Sequence, residues 1–403
     1  MRLDALNPVF ASKITDDAVA CAQSLGYSKQ MIAWGFDHMF AHWAPTTWID
    51  FLRGEIPALS PTHAQTLCNA DLPDEDRAQI WANTLGKNKR IYQRIVLVPA
   101  STVPSAVFQD ICQILILPVA LTLRPPRAHI DLYTTWKHHI DQYMPAFGAR
   151  LAIAQPSHDD DDTRQLCRSH NAIVISGSDA TIAHYRTLCA NLDPSLHPHI
   201  VAHGHKISAI CIDAPAFQRL DDDDFNHLAI DASVWDQTGC LSPKFAFVEA
   251  NFDDACNFAT KLSKALSAFG SQIPPIPPDI NASAAKNSDL LMASLDGAFI
   301  ARSIHGDAIA VYPPGAPFEP LLHQRLLQIY CTNSALNAAL ALAPRGQALA
   351  TRSPLSTNEQ IPLRNAGFNY FCTFGNMQDP PPTWLHDDIG TIRPLIASLP
   401  TQT

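Results

Sequence analysis

Apolar positions along the chain follow two rhythms. Near the N-terminus, Met31, Ile32, Trp34, Phe36, Met39, Phe40 and Trp43 recur at roughly helical spacing. This predicts a helix whose aromatics serve a core or an interface rather than a cofactor. From residue 95 onward, short apolar runs alternate with helical stretches. Residues 95–98, 119–123, 151–154 and 172–176 read as strands, with a helix over 105–117 and further helical stretches before 172 and after Ser178. Residues 199–212 read as one more extended, largely apolar segment. Such alternation predicts β-α-β units on a parallel sheet, which binds ligands beyond the carboxyl ends of its strands. The first half is therefore the better nucleotide-domain candidate. A second alternation starts near Trp235, with a strand at 245–250, a helix at 253–269 and a strand at 308–312. The four prolines of residues 273–279 mark a loop. The fold class so predicted is α/β.

Composition narrows the function classes. At 403 residues the chain can hold two core-bearing domains, and 47% hydrophobic against 16% charged residues is a globular balance. A formal net charge of -10 disfavours nucleic acid and anionic membranes as partners. The first seventeen residues lack the apolar core of a secretory signal, and the apolar run 111–123 is short for a span and holds Pro118. A cytoplasmic chain without membrane insertion is the expectation. The aspartate runs 159–162 and 221–224 lack the alternating spacing and glycine of a calcium loop, so helix starts or solvated loops are expected there. None of the ten cysteines stands in a Cys-x-x-Cys pair, which weakens a zinc reading. Most fit as small buried hydrophobes, and no metal is expected.

One cysteine stands apart. In Trp235-Asp236-Gln237-Thr238-Gly239-Cys240-Leu241-Ser242-Pro243 it follows a glycine directly and precedes a strand. A tight turn there would bring backbone N–H groups close to the sulfur and to a bound carbonyl oxygen. From spacing alone, a packed structural cysteine is the favoured reading.

The wider pattern resembles the LuxC-type acyl-CoA reductases, the fatty-acid reductase family that supplies aldehyde to bacterial luciferase, within the aldehyde dehydrogenase superfamily. That family's Asp-Gln-x-Gly-Cys-Leu-Ser-Pro signature is matched by residues 236–243. Its Gly-Ser-Asp element is matched by Gly177, Ser178 and Asp179, and its Gly-His-(Lys or Arg)-x-Ser stretch by residues 204–208. Its closing block resembles Gly375 to Pro381 with Trp384, His386 and Asp387. The matches run in family order over residues 96–387.

The resemblance implies an aldehyde dehydrogenase-like fold: N-terminal helices and a Rossmann-type cofactor domain over 1–207, an α/β catalytic domain over 208–387, and a tail over 388–403. It places Cys240 in the cleft between domains as the residue acylated by a fatty acyl thioester, either acyl-CoA or acyl-protein. Hydride from NADPH then releases the aldehyde. A homo-oligomer and an acyl-protein synthetase partner are also implied. Acid-forming relatives carry a Glu-Leu-Gly-Gly-Lys run whose glutamate activates water; here Ala202 stands at that place, which supports reduction over oxidation. His203 or His205 offers a replacement base, although a structural histidine is the commoner role.

Five positions carry further expectations. The family usually has Gly-Asn-Val-Pro at the first β-α turn, its asparagine helping to hold the oxyanion; here Thr102 replaces it. Arg124 takes the place of a superfamily lysine that contacts the adenosine ribose, and its guanidinium suits a 2′-phosphate, hence NADPH. A solvated arginine at a strand end explains it about as well. Gly177 and Ser178 open a helix near the pyrophosphate or simply cap it. Asn376 stands where the family often has arginine. Two other readings stay open: a non-reducing acyl carrier or scaffold, kept alive by Thr102, and an oxidising dehydrogenase.

Overall fold

The computed structural model describes residue 3 and residues 7–155, 159–276, 279–381 and 383–398. Residues 277–278 of the proline-rich loop, residues 1–2 and 4–6 of the N-terminal stretch, and the last five residues of the tail lie outside the described residues. The chain divides into two compact units: Met1–Leu25, Ile32–His205 and Pro381–Thr403 form the first, and Gly26–Met31 with Lys206–Pro380 the second.

The first unit is built on five parallel strands, β1 (Arg94–Val98), β2 (Ala120–Leu123), β3 (Leu151–Ile153), β4 (Ala172–Ser176) and β5 (His199–His203). Their order is β3-β2-β1-β4-β5, the doubly wound dinucleotide-binding order short of its sixth strand. Both faces are covered by helices, so the strands are continuously apolar rather than alternating: β4 reads Ala-Ile-Val-Ile-Ser. Val96, Ile173 and Ile175 pack against Ile182, Tyr185 and Cys189 of the helix that follows β4. The N-terminal aromatics belong to the core, with Phe36, Trp43 and Trp48 buried. Trp43 meets Trp48 edge-on at 4.9 Å. A two-stranded antiparallel ribbon, Lys89–Ile91 with Ile396–Ser398, brings the C-terminal segment back to this unit.

The second unit holds seven strands: β6 (Ile207–Ile212), β7 (Pro243–Val248), β8 (Phe299–Arg302), β9 (Ala308–Tyr312), β10 (Leu326–Cys331), β11 (Gly346–Thr351) and β12 (Tyr370–Thr373). The order is β12-β11-β6-β7-β10-β9-β8. Every pairing is parallel except that of the edge strand β8 with β9. Phe245, Phe247, Leu349 and Phe368 sit in its core.

Most elements fall where the apolar rhythm places them, and 172–176 and 308–312 coincide with β4 and β9. The extended segment 199–212 does not. It is two strands, β5 and β6, in different sheets. The break falls at Gly204-His205-Lys206, where the His205 N–H donates to Asp179 Oδ1 at 3.1 Å. A Cβ on Gly204 would stand 3.0 Å from that same carboxylate oxygen. Both aspartate runs start helices. Asp159 accepts from the Asp161 N–H, and Asp221 forms a reciprocal cap with Asp224. Among the described residues, no helix is long and apolar enough to cross a membrane.

Candidate active site

The turn that carries Cys240 is strained and heavily clamped. After the helix Asp222–Ser233, Trp235, Asp236 and Gln237 adopt φ of 57°, 48° and 59° in succession. Non-glycine residues in the left-handed region cost on the order of 1 kcal/mol or more each, so they persist only where surroundings over-determine them. Each has its own clamp. Asp236 Oδ1 accepts from Arg325 Nη1 at 2.5 Å, and Arg325 Nε donates to Asp307 Oδ1 at 2.5 Å. Asp307 in turn accepts from the Ser303 hydroxyl. Gln237 is fully buried, its amide donating to the Pro243 carbonyl at 2.6 Å and accepting from the Leu326 N–H at 2.8 Å. The Trp235 N–H donates to Met31 Sδ, and its ring meets Tyr27 edge-on at 5.3 Å. Tyr27 and Thr238 hydroxyls are 2.8 Å apart, and Thr238 Oγ1 donates to the Trp235 carbonyl.

Next comes the cysteine itself. Ser208 Oγ, at the start of β6, donates to the Cys240 carbonyl at 2.7 Å and accepts from the Ala348 N–H of β11 at 3.1 Å. The Cys240 backbone is thus pinned to two strands by one hydroxyl. Cys240 is half-buried and in no disulfide, whereas Cys68, Cys112, Cys167, Cys189 and Cys211 are buried. Lys244, on β7, donates to the Gln237 carbonyl at 2.7 Å and to the His323 carbonyl at 3.2 Å. Burial pulls its ammonium down to about 8. Burial likewise raises the Asp236 carboxyl above its ordinary range, and Arg325 pulls it back.

The closing block docks behind the same turn. The Gly375 and Met377 N–H groups donate to Asp231 Oδ2 and Oδ1 at 2.7 and 2.9 Å. Gln378 Nε2 reaches Ser242 Oγ at 3.2 Å and the Asp231 carbonyl at 3.3 Å. Asn376 turns to its own loop, donating to Thr373 Oγ1 at 3.0 Å. Burial lifts the Asp231 carboxyl to about 7, against the pull of its two N–H donors. Because the folded value lies above the unfolded one near 3.8, this group's contribution is fully present below about pH 4 and fades as pH rises through 7. Asp231→Asn is expected to flatten the pH dependence across that window. It also sets an amide NH₂ against one of the two donors, lowering stability by about 1–3 kcal/mol. Urea unfolding at about pH 5 and pH 8 reads both effects.

The remaining candidates lie in the first unit, at the carboxyl ends of its strands. Thr102 is half-buried in the loop between β1 and the helix Pro104–Leu115. Arg124 follows β2; its Nη1 donates to Thr163 Oγ1 at 2.8 Å and its guanidinium lies 5.8 Å from the Tyr185 ring centre. Gly177 follows β4, its N–H donating to the His203 carbonyl at 3.1 Å. Ser178 caps the helix Asp179–Ala190, its hydroxyl accepting from the Thr181 N–H at 3.2 Å. Ala202 pairs with Ile175 inside the sheet. His203 Nδ1 lies 2.7 Å from Asp387 Oδ2, and His205 is exposed. The parallel topology thus gathers Thr102, Arg124, Gly177 and Ser178 on one sheet edge, while Cys240 belongs to the second unit. Sequence reading missed Asp231, Lys244, Asp307 and Arg325. Lys244 could have been found as a lone cation opening an apolar strand; Arg325 left no signal.

The fold is shared with known enzymes. An oxidoreductase from Marinobacter aquaeolei superposes with a TM-score of 0.63 at 10% identity, over 96% of this chain and 83% of that one. A NAD-dependent benzaldehyde dehydrogenase from Corynebacterium glutamicum gives 0.62 at 11% identity, over 98% and 86%. A succinate-semialdehyde dehydrogenase from Burkholderia pseudomallei gives 0.63 at 12%, over 96% and 83%. These likenesses define an aldehyde dehydrogenase-like α/β fold. No curated protein sequence matches the chain. The profile of the acyl-CoA reductase (LuxC) family matches residues 138–397, well over half of the chain, and the protein belongs to that family. It is an oxidoreductase of the acyl-CoA reductase class.

Proposed function

We propose that the protein reduces a fatty acyl thioester to the aldehyde through an acyl-Cys240 intermediate, with NADPH as reductant. The observation that carries this reading is the turn at Trp235, Asp236 and Gln237: three left-handed residues, each fixed by its own partners, delivering a half-buried thiol. A structural cysteine has no need of such a mount.

The Cys240 thiolate attacks the thioester carbonyl carbon, and the carbon–sulfur bond to the donor breaks, releasing it as a thiolate. Exchange of sulfur for sulfur needs little driving force. The Cys240 and neighbouring backbone N–H groups stabilise the oxyanion, and Thr102 replaces an amide donor with a shorter hydroxyl. A nicotinamide cofactor held at the strand ends of the first unit, by Arg124 and the helix N-terminus at Ser178, would supply the hydride that the thioester carbon accepts. Collapse of the resulting thiohemiacetal expels the aldehyde and returns the Cys240 thiolate, while the departing donor thiolate takes up a proton. With Ala202 in place of a carboxylate, no base activates water there, which favours reduction over hydrolysis.

The first unit's residues suit a dinucleotide. Its strand order, the helix N-terminus opened by Ser178 and the cation at Arg124 sit at strand ends, where such ligands bind. Thr163 and Tyr185 hold the Arg124 fork in a fixed orientation, which suits a 2′-phosphate and hence NADPH. Residues 1–207 would then be the cofactor domain and 208–387 the catalytic one.

The test is intact-mass measurement after mixing with an acyl-CoA panel, with and without NADPH. One acyl group per chain that disappears on adding NADPH, with aldehyde released, is the expected result. Labelling that survives NADPH at every chain length selects a non-reducing acyl carrier, the reading Thr102 keeps open. Acid formed from aldehyde and oxidised cofactor selects a dehydrogenase.

A further inference from the structure

The loop that carries Cys240 is closed at its base by two side chains reaching in opposite directions. The Gln237 amide donates to the Pro243 carbonyl at 2.6 Å, and Lys244 Nζ donates back to the Gln237 carbonyl at 2.7 Å. Between these ties the chain makes a turn, the Ser242 N–H donating to the Gly239 carbonyl at 3.1 Å, so Cys240 is the first of its two central residues. Lys244 also reaches outside the loop, to the His323 carbonyl at 3.2 Å in the segment that leads into β10. One ammonium therefore fastens the two ends of the loop to each other and the loop to its neighbour.

Every partner of this ammonium is neutral. Besides the two carbonyls it has only the Gln237 side-chain oxygen, at 3.5 Å, and among the described residues it forms no ion pair. Charged groups on the surrounding elements are engaged elsewhere. His323 pairs with Asp289 at 2.7 Å, Lys286 donates to the Gly306 and Gln324 carbonyls, and Arg325 is bound to Asp236 and Asp307. An enclosed cation without a carboxylate weakens a fold. Its folded value of about 8 lies below the ordinary 10.5, so the cost is present at neutral pH and is relieved as pH rises past 8. What the cation holds is the carbonyl of Gln237, last of the three left-handed residues that lead to Cys240. A charge-assisted bond there fixes the peptide by which the chain leaves the strained turn.

We infer that Lys244 is a positioning residue for the acylation of Cys240, its ammonium locking loop 237–244 so that the thiol meets a thioester carbonyl in one fixed orientation. The inference rests on the acyl-Cys240 reading. Lys244 itself forms and breaks no covalent bond; on losing its proton it still donates to the two carbonyls, but more weakly.

The test compares wild type, Lys244→Met and Lys244→Arg as full chains, reading single-turnover acylation by an acyl-CoA through intact mass. Lys244→Met is expected to acylate at least about tenfold more slowly, the scale of a small misplacement of a reacting group. Its urea midpoint at neutral pH should stay at or above that of wild type, because a costly buried charge is gone. Lys244→Arg stays charged and should recover part of the rate at neutral pH. The ratio of wild-type to arginine rates should then fall as pH rises through about 8, where only the wild type discharges. Should Lys244→Met fail to fold, that ratio decides. Alkylation of Cys240 by iodoacetamide, located by fragment mass, is measured alongside and should slow by about threefold in Lys244→Met. A wild type that takes no acyl group overturns the acyl-Cys240 reading, and alkylation alone then decides whether Lys244 braces the thiol. Wild-type acylation and alkylation rates in Lys244→Met, or a rate ratio that does not change with pH, overturn the role of Lys244.

Discussion

Cys240→Ala is expected to lose all acyl labelling and to reduce NADPH-dependent turnover at least about a thousandfold, the scale seen when a covalent nucleophile is removed. The fold should survive. The Ser208 hydroxyl holds the carbonyl of residue 240, which alanine retains, and the clamps on Asp236 and Gln237 do not involve the sulfur. Other cysteines are poor substitutes. Cys21, Cys256, Cys331 and Cys372 are also half-buried, yet burial raises each thiol above its ordinary value, Cys331 to about 11. Fewer thiolates at neutral pH mean slower attack. Mass labelling with an acyl-CoA, followed by fragment mapping, reads the outcome. An alanine variant labelled to the wild-type extent would show that another group carries the acyl chain.

How much of this was legible in the sequence differs between fold and site. Strands such as β4 and β9 announced themselves because a sheet buried on both faces must be written in continuous apolar residues. The two strands within 199–212 merged because a short Gly-His-Lys break carries little weight against flanking apolar runs, and the pull of Asp179 on His205 is a tertiary contact. At the site, residues 236–243 and the block at 375–378 were visible as strings whose physical jobs were not. Gln237 turns out to be a buried cross-brace, and Gly375 and Met377 present N–H groups to Asp231. Those jobs depend on pairing across distant strands, which no local pattern encodes. Ser208 belonged to a quoted motif, yet its bond to the Cys240 carbonyl needs β6 and the turn to be neighbours.

Arg325 left no trace in the sequence, and its replacement is expected to be the most damaging to stability. It stands at φ 53°, is 6% exposed, and bridges Asp236 to Asp307. Arg325→Met fills similar volume but strands two buried carboxylates without a cation. Removing one partner of a buried ion pair typically costs about 3–5 kcal/mol, and here two charges lose the same partner. The strain at Trp235, Asp236 and Gln237 then loses one of its restraints, so the turn relaxes and acylation of Cys240 slows along with the loss of stability. Arg325→Lys keeps the charge but cannot donate to both carboxylates through a rigid fork, and should fall between wild type and methionine. Adding Asp236→Asn to Arg325→Met should recover part of the lost stability, because it removes one of the stranded charges. Urea unfolding of the three variants, run beside acylation rates measured where each remains folded, checks the sequence of effects. A methionine variant within about 0.5 kcal/mol of wild type would mean that the Asp236 clamp does not hold the turn.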